Sequence, residues 1–507
     1  MTGTSRTAKA SKNIVFDVLN KLLSIILVFV SRTVFIQKLG VDYLGLNGLF
    51  SDILGMLSLA DLGFNTAMVF SLYKPLADSD KIKVSALITF YRRVYHWIAA
   101  GVLLLGLCVI PLLPYMVHLK NPINNIWIYY LFSLANAVVS YLCVYKTAVL
   151  SADQKGFIVS AVTMITNIIC TGFQVLVLLR YSSYLLYLLI GSIAAISNNI
   201  ISSKIASKKY PEIEEERVLN KQERHNIIDN IKSAFVYKLS SVLLSASTNI
   251  IISVVIGTAV VGYYSNYLMV QNKIVLLYSS LFTAATASIG NLIATEKPDK
   301  RKRIFDAEQS LSFIFCSIIV PSYIVLINEF ISVWLGHSYV LSVPITLIIG
   351  LNLYLGTVFQ PLWSYRDATG MYQHTKWIQA ICAVLNILLS VFLGMKLGLF
   401  GIIAAGAIAR LATYAWYEPR VLFKIYFESE PWEYYSSVVK NLILVVLLVV
   451  MLYGVNSVWH VYTWGMWFVK AFFVFVVCLV ISICTYSRTQ AYSILANKVR
   501  QVFRKVK

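Results

Sequence analysis

Long apolar stretches separated by short polar loops constrain this chain more than any other feature. Of its 507 residues, 58% are hydrophobic and only 13% are charged, a balance that water-soluble domains do not show. An apolar segment of about 20 residues crosses the bilayer as a helix, and the alternating strands of a membrane barrel are not seen. The sequence predicts an all-α polytopic membrane protein with about 14 transmembrane helices, at residues 13–38, 45–72, 85–116, 126–150, 157–179, 184–203, 233–256, 260–294, 309–335, 341–363, 376–396, 399–417, 438–459 and 464–487.

Positive charge is distributed very unevenly over the loops. When the loops are assigned alternately to the two sides of the membrane, one side carries only Lys38, Lys120, Arg180 and Lys396 out of 43 Lys and Arg. The other side carries both tails and the basic loops. By the positive-inside rule this second side is cytoplasmic, which places both termini there. Topology thus accounts for the net charge of +20, and we expect no nucleic-acid partner.

Motifs for metal binding and enzymatic chemistry are not found in the sequence. All seven cysteines lie in apolar stretches without Cys-x-x-Cys spacing, so neither a disulfide framework nor a metal site is indicated. There is no phosphate-binding GxxxxGK[ST] loop and no Ser/His/Asp or paired-carboxylate arrangement, so we expect no enzyme. The basic N-terminus resembles a signal peptide, but its apolar run is too long and contains Lys21 and Arg32. We interpret it as a retained first helix.

The two halves of the chain share a repeat. A shift of 217 residues places helix 1 on helix 7 and aligns Lys21 with Lys238, Ser24 with Ser241, Gly40 with Gly257, and Gly45 with Gly262. Internal repeats are common in secondary transporters, which bind substrate between the repeats. We therefore expect an N-terminal six-helix lobe (1–203), a cytoplasmic linker (204–232), a second six-helix lobe (233–430), two further helices (431–487) and a basic amphipathic tail on the inner leaflet (488–507).

Five cations fall inside predicted helices, namely Lys21, Arg32, Lys238, Lys273 and Lys470. A cation at the centre of a membrane helix costs about 2.5–3.5 kcal/mol on the insertion scale, so it usually faces a cavity or a partner. We expect Lys470, near a helix end, to reach the membrane surface. For the same reason we expect Glu329 to be solvated. The other four cations are the candidates for a functional site.

Polar residues form a stripe along helix 1. Asp17, Lys21, Ser24 and Arg32 share one face, with Lys21 and Arg32 separated by roughly 16 Å along the axis. Helix 7 repeats the stripe with Lys238, Ser241 and Asn249, in which Asn249 takes the place of Arg32. Because such faces must be hidden from lipid, we expect both stripes, together with Lys273, to line one central cavity.

A cationic cavity of this kind favours an anionic ligand, and phosphate or pyrophosphate suits Lys and Arg well. Helices 13 and 14 are candidates for a groove that holds an apolar tail. Asp52 and Asp61 of helix 2 are candidates for ion pairs that release the cations when an anion binds, and for binding a coupling ion. A permanent structural ion pair is the alternative for each of them.

The turn between helices 1 and 2 carries a family resemblance. Ser31–Phe35, Leu39–Leu46 and Asp61–Phe64 resemble the Wzx-type polysaccharide flippases of the multidrug/oligosaccharidyl-lipid/polysaccharide exporter superfamily. The resemblance extends over the chain in helix number and loop position. It implies a flippase that moves undecaprenyl-pyrophosphate-linked oligosaccharide repeat units from the inner to the outer leaflet of the bacterial plasma membrane by alternating access, for capsule or exopolysaccharide synthesis. It implies a site role for Arg32, whereas Lys21 and Lys238 rest on the stripes alone.

The resemblance also sets the expected partners, which are the lipid-linked oligosaccharide, membrane lipids, and a polymerase with other polysaccharide-assembly proteins. We expect no cofactor beyond a coupling Na⁺ or H⁺. Three other functions stay open. A lipid II flippase shares the fourteen-helix plan, a multidrug or cation antiporter would need an acidic cavity, and a polysaccharide polymerase would need a large external catalytic loop that this sequence lacks.

Overall fold

The computed structural model describes residues 3–58, 64–119, 122–456 and 458–487, and all regular structure within these ranges is helical. This confirms the predicted all-α fold class. The α-helices are α1 Gly3–Leu39, α2 Val41–Leu57, α3 Phe64–Ala77, α4 Lys81–Val109, α5 Leu113–Met116, α6 Ile126–Ala152, α7 Gly156–Tyr181, α8 Tyr184–Lys209, α9 Lys221–Val255, α10 Thr258–Thr295, α11 Pro298–Leu335, α12 Val343–Val358, α13 Gln360–Thr369, α14 Tyr372–Ala412, α15 Tyr414–Leu422, α16 Trp432–Asn456 and α17 Trp464–Tyr486.

Many of these helices are long enough to cross a membrane. Within the described ranges 10 helical stretches have the required length and apolar composition, or up to 11 if the bent pair α12 and α13 is one span. One stretch, Tyr372–Phe427, has 56 residues, and Gly398, with a φ of 60°, interrupts α14 inside it. Glycine adopts this positive φ without steric cost. The chain is a multi-pass membrane protein, while the number fourteen remains a prediction.

The first of two compact units comprises Met1–Gly262. In this unit α1 packs against α7, α6 packs against α4 and α8, and α2 packs against α9. Phe50 of α2 and Tyr130 of α6 are both buried, with ring centroids 5.4 Å apart in an edge-to-face arrangement. The Tyr130 hydroxyl donates to the Gly106 carbonyl at 3.1 Å. Its polar end is therefore satisfied inside an otherwise apolar core.

Within this unit the first turns of α2 and α10 approach each other very closely. A Cβ atom added to Gly45 would lie 2.0 Å from the carbonyl oxygen of Thr258, and one added to Gly262 would lie 2.5 Å from that of Val41. The 217-residue shift relates Val41 to Thr258 and Gly45 to Gly262, so the two halves of the contact are repeat-related. Glycine is the residue that permits such backbone proximity.

Ion pairs connect the predicted linker 204–232 to α4 and α6. Within it α8 continues to Lys209, a 3₁₀ turn covers Pro211–Glu214, and α9 begins at Lys221. We call residues 211–217 the acidic strap. Carboxylates of the strap and of the start of α9 bind basic residues on α4 and α6, in the pairs Lys146–Glu214, Arg92–Glu216 and Lys83–Glu223.

The second unit comprises Tyr263–Lys507, and α11 is at its centre. Helices α12, α16 and α17 all pack against α11. Asn441 of α16 donates through Nδ2 to the Phe313 carbonyl at 3.2 Å and to Ser317 Oγ at 3.0 Å. Apolar residues of α17 pack against the same helix. The last two helices, expected as additions to the repeat, are therefore fixed to α11 by both polar and apolar contacts.

The boundary between the two observed units lies at a different residue from the boundary between the predicted lobes. It falls after Gly262, inside α10, and groups α9 with the first unit because α9 packs along α2. The repeat in the sequence predicts a second lobe that begins at residue 233. The lobes 1–203 and 233–430 and the helix pair 431–487 stay predictions defined by the repeat. The predicted tail 488–507 lies outside the described residues.

Candidate functional site

The predicted polar stripe of helix 1 lies on one continuous helix, α1. Ser24 Oγ donates to the carbonyl of Lys21 at 2.8 Å, and Thr33 Oγ1 donates to that of Phe29 at 2.8 Å. Hydroxyls that bond back to their own helix are satisfied without a partner from another helix. The charged groups of Lys21 and Arg32 remain the costly ones in this stripe.

Arg32 lines a cavity inside the first unit. The cavity has a volume of about 290 Å³ and lies between α1, α2, α7 and α8. Ser24 and Arg32, both singled out in the sequence, are among its residues. The polar side chains around it are Ser24, Ser31, Arg32, Asn47, Asn167, Thr171, Gln174 and Tyr187. The sequence had predicted the polar face of α1 but not the amides that α7 contributes opposite it.

Hydrogen bonds fix two of the amides that line this cavity. Gln174 of α7 donates through Nε2 to the Tyr187 carbonyl at 3.1 Å, and the Tyr184 hydroxyl donates to Asn47 Oδ1 at 3.4 Å. Gly191 makes room for the first of these, because a Cβ there would lie 3.2 Å from Gln174 Nε2. The wall is therefore held in position by bonds within the unit.

Aromatic rings pack beside the cavity. Phe35 lies 5.0 Å from the ring of Tyr187 and 5.8 Å from that of Tyr184, both edge-to-face. Tyr184 in turn contacts Tyr43 at 5.0 Å and Tyr129 at 4.9 Å. Such pairs are worth about 0.5–1.5 kcal/mol each beyond the area they bury. The cluster thus gives the cavity a rigid, apolar neighbour on the side of α8.

The cavity carries a positive charge. Arg32 is the one ionised side chain among the described residues that line it, and Tyr187 is another of these residues. Among those described lining residues there is no Asp or Glu. Amides and hydroxyls can each donate hydrogen bonds, so the lining offers donors around a single guanidinium. This arrangement is suited to one anionic group such as phosphate.

Asp52 and Asp61 are the predicted ion-pair partners of Arg32 and Lys21. The side chain of Asp52 hydrogen-bonds to Asn249 of α9, and Asp52 does not line the cavity in the described residues. Asn249 is the repeat counterpart of Arg32, so this bond connects α2 to the polar stripe of α9. Asp61 lies outside the described residues. An ion pair or coupling role for Asp52 and Asp61 stays a prediction.

The remaining predicted site residues do not line this cavity in the part of the chain described. Lys21 lies on α1, three turns before Arg32, and is half-buried. Lys238 and Ser241 lie on α9, where the Ser241 carbonyl accepts a bond from Ser245 Oγ at 3.1 Å. Lys273 belongs to α10 in the second unit and is half-buried. Their joint role in one anion site remains a prediction.

A buried ion pair in the second unit was missed by the sequence analysis. Lys470 was expected to reach the membrane surface and Glu329 to be solvated. Instead Lys470 is completely buried, and its Nζ lies 2.6 Å from Glu329 Oε1 and donates to the Trp459 carbonyl at 2.6 Å. The sequence did carry one indication of this pair, namely a basic and an acidic residue at a similar predicted depth in two helices.

A second buried pair joins α13 to α15. Arg366 and Glu418 are 7% and 2% exposed, and their closest charged atoms are 3.3 Å apart. Arg366 also lies 3.3 Å from Asp367. The sequence placed Arg366 in a loop between predicted helices. Its burial was missed because charge alone does not tell a solvated loop from a loop folded into the protein.

Comparison with known proteins identifies the fold. No protein-family model and no curated protein match the sequence. The structure is similar to the lipid II flippase MurJ in an inward closed conformation, with a TM-score of 0.64 and 16% identity over 94% of this chain and 100% of that chain. It is also similar to an inward-facing multidrug resistance MATE family transporter of the MOP superfamily, with a TM-score of 0.61 and 13% identity over 78% of this chain and 93% of that chain.

A third similar structure is a MOP superfamily transporter from Pyrococcus furiosus, described as having a binding pocket of reverse polarity. Its TM-score is 0.51 and its identity 13%, over 81% of this chain and 95% of that chain. At such identities the likeness concerns the fold. The chain therefore has a MurJ- and MATE-like fold.

Proposed function

We propose that this chain is a flippase for lipid-linked oligosaccharides, of the Wzx type. It moves undecaprenyl-pyrophosphate-linked repeat units from the inner to the outer leaflet of the bacterial plasma membrane, and it supplies capsule or exopolysaccharide synthesis. The observation that carries the proposal is the cavity around Arg32. A guanidinium held within membrane helices, among amides and hydroxyls, is the chemistry that a phosphorylated lipid headgroup needs.

The size of the cavity fits part of such a substrate. Small-molecule sites usually occupy roughly 300–1,000 Å³, and this one has about 290 Å³. It has room for a phosphoryl group and not for several sugars. In the proposed mechanism Arg32 holds the charged group, while the sugars and the polyprenyl tail stay outside the cavity.

The charge of the cavity argues against a cation antiporter. A pocket that binds cationic drugs needs a negative group to offset the charge of the ligand. The described lining of this cavity has one guanidinium and no carboxylate, so it disfavours a cation. For that reason we rank the antiporter below the flippase.

Lipid II flipping is the second candidate, favoured by the similarity to MurJ along almost the whole chain. The substrates of both candidate functions have an anionic headgroup on a long lipid, so the Arg32 cavity supports the two functions equally. They differ in the sugars that the substrate carries. We place the Wzx-type function first because of the sequence resemblance at the turn between helices 1 and 2.

The decisive experiment is to delete or deplete the protein in its host and to determine on which leaflet lipid-linked intermediates accumulate. The proposal expects build-up of oligosaccharide-linked lipid on the inner leaflet while peptidoglycan synthesis continues. Build-up of lipid II instead would establish the second candidate. Build-up on the outer leaflet would point to a polymerase and would overturn both.

A further inference from the structure

A second polar cavity lies in the second unit, far along the sequence from Arg32. It has a volume of about 530 Å³ and lies between the first turns of α11 and α16, beside the π-turn Phe423–Phe427. The predicted orientation puts both helix starts at the cytoplasmic surface of the membrane. Trp432, at the start of α16, is 72% exposed, as is common for tryptophan at that depth.

Charges of both signs line this cavity. Lys302 and Asp306 come from successive turns of α11, and Glu433 and Lys440 come from α16. Lys302 Nζ and Glu433 Oε2 are 2.8 Å apart and form an ion pair. Asp306 and Lys440 carry the remaining opposite charges, so the net charge of the four side chains is zero. A neutral balance of separated charges does not favour a purely anionic ligand.

Gln309, one of the lining residues, has a buried acceptor without a hydrogen-bond partner in the described structure. Gln309 is 3% exposed and donates through Nε2 to the Val358 carbonyl at 3.1 Å. Its Oε1 atom is buried and accepts no hydrogen bond from any described residue. A buried acceptor of this kind is costly unless something donates to it. Asp306, one turn earlier on α11, presents a carboxylate to the same space.

These features together suit a ligand with N–H donors on a positive group and with a negative group nearby. We propose that the cavity binds the headgroup of a zwitterionic aminophospholipid of the cytoplasmic leaflet. The primary ammonium donates to Asp306 and Gln309 Oε1, and the phosphate accepts from Lys440 near the start of α16. Basic pockets between membrane helices on the cytoplasmic side bind anionic lipid headgroups, and the Asp306 carboxylate here adds a group that suits an ammonium. This proposal is independent of the substrate of the Arg32 cavity.

Three lipids that differ in one feature test the proposal. The full-length protein, purified in detergent, is mixed with phosphatidylethanolamine, phosphatidylcholine or phosphatidylglycerol, and bound lipid is counted by native mass spectrometry. We expect phosphatidylethanolamine to bind about tenfold more tightly than phosphatidylcholine, because the methylated ammonium has no N–H to donate. Equal binding of these two, or tighter binding of the anionic phosphatidylglycerol, would overturn the proposal.

Matched variants locate the binding. Asp306→Asn and Lys440→Ala should each lower the affinity for phosphatidylethanolamine about tenfold. Asp299→Asn and Lys424→Ala, which change exposed charges outside the cavity lining, should leave it unchanged. If the first pair binds like the second, the site is elsewhere and the proposal is wrong. The lipid series on the unaltered protein decides the matter even if a variant fails to fold.

Discussion

Arg32 is the residue on which the proposed function depends most directly. We expect Arg32→Ala to abolish export of repeat units while the protein still inserts, because the cavity loses the one positive group in its described lining. Arg32→Lys should keep part of the activity, since it retains the charge but loses the planar fork that matches phosphate. Surface polysaccharide and membrane-bound protein are measured in the same cells.

Lys38→Ala is the matched control for this prediction. It removes a cation from the same helix at an exposed position outside the cavity lining, and it should export normally. Equal export by Arg32→Ala and Lys38→Ala would show that the cavity is not the substrate site. Equal loss in both would show that α1 tolerates no change of charge, in which case the Arg32→Lys variant decides.

Lys470 and Glu329 give a second prediction at this scale. We expect Lys470→Met to destabilise the protein by about 3 kcal/mol, because it leaves the Glu329 carboxylate without its partner in a site away from water. The double variant Lys470→Met/Glu329→Gln should recover most of this loss, since no charge is left unpaired. Thermal unfolding in detergent measures both. A double variant less stable than the single one would contradict the ion-pair account.

These two sites also show what the sequence predicts at the level of residues. Arg32 was found because a cation within an apolar stretch is costly wherever it points. The pairing of Lys470 with Glu329 was missed, because the two lie 141 positions apart and the sequence carries no information on which helices pack together. Asn167 and Gln174 of α7 were also missed. An amide costs less free energy in a membrane helix than a charged group does, so amides occur on many helix faces.

The close approach of α2 and α10 gives a prediction at the scale of elements. We expect Gly45→Ala to destabilise the first unit by about 1–3 kcal/mol, because the new methyl group would meet the Thr258 carbonyl, and backbone yields less readily than a side chain. Gly55→Ala on the same helix is the control, since a Cβ there meets nothing within 4 Å and alanine favours the helix. Thermal unfolding of both variants is the measurement, and equal stability would contradict the contact.

The acidic strap gives a second prediction for an element. Hydrogen bonds from Lys146 Nζ and Ser207 Oγ lower the pKa of Glu214, so the stabilising contact is present above the ordinary carboxyl pKa and is lost as the pH falls through the lowered value. The pair is partly exposed, so salt should weaken it. We expect trypsin to cleave after Arg217 faster at high salt than at low salt.

We expect trypsin to cleave the Glu214→Gln variant fast even at low salt. Added salt should change this cleavage rate less than it changes the rate for the unaltered protein. The control is Glu212→Gln, because Glu212 forms no ion pair that the described structure records. The strap would be held by something other than charge if neither salt nor Glu214→Gln changed the rate of cleavage. The rate of cleavage measured as a function of pH is a further check, because the strap should lose its protection from trypsin only as the pH falls.

The helices themselves were largely predictable. Apolar length and short loops suffice for the all-α class, and the break at Gly398 falls in a loop that the sequence had placed at 397–398. The position of the unit boundary was not predictable. Repeat periodicity marks where the sequence is duplicated, whereas compactness depends on the packing of α9 along α2, which a repeat alone does not specify.

For the molecule as a whole, the membrane potential decides the energetics of the proposed transport. Moving a negative headgroup outward across a membrane with an inside-negative potential of 100 mV is favourable by about 2.3 kcal/mol per charge. The same field also favours the return of the empty cationic carrier, because its positive charge then moves toward the negative interior. The potential therefore tests the sign of the charge that is carried outward.

We expect an inside-negative potential, set with valinomycin and a potassium gradient in reconstituted vesicles, to speed outward flipping of the lipid-linked oligosaccharide, and a reversed potential to slow it. Vesicles with Arg32→Ala protein should show neither effect. A proton or sodium gradient imposed at zero potential tests separately whether an ion is coupled to transport. A flipping rate that is the same at both potentials would mean that no net charge crosses with the substrate, and the guanidinium would then be a structural group rather than the one that carries the phosphate.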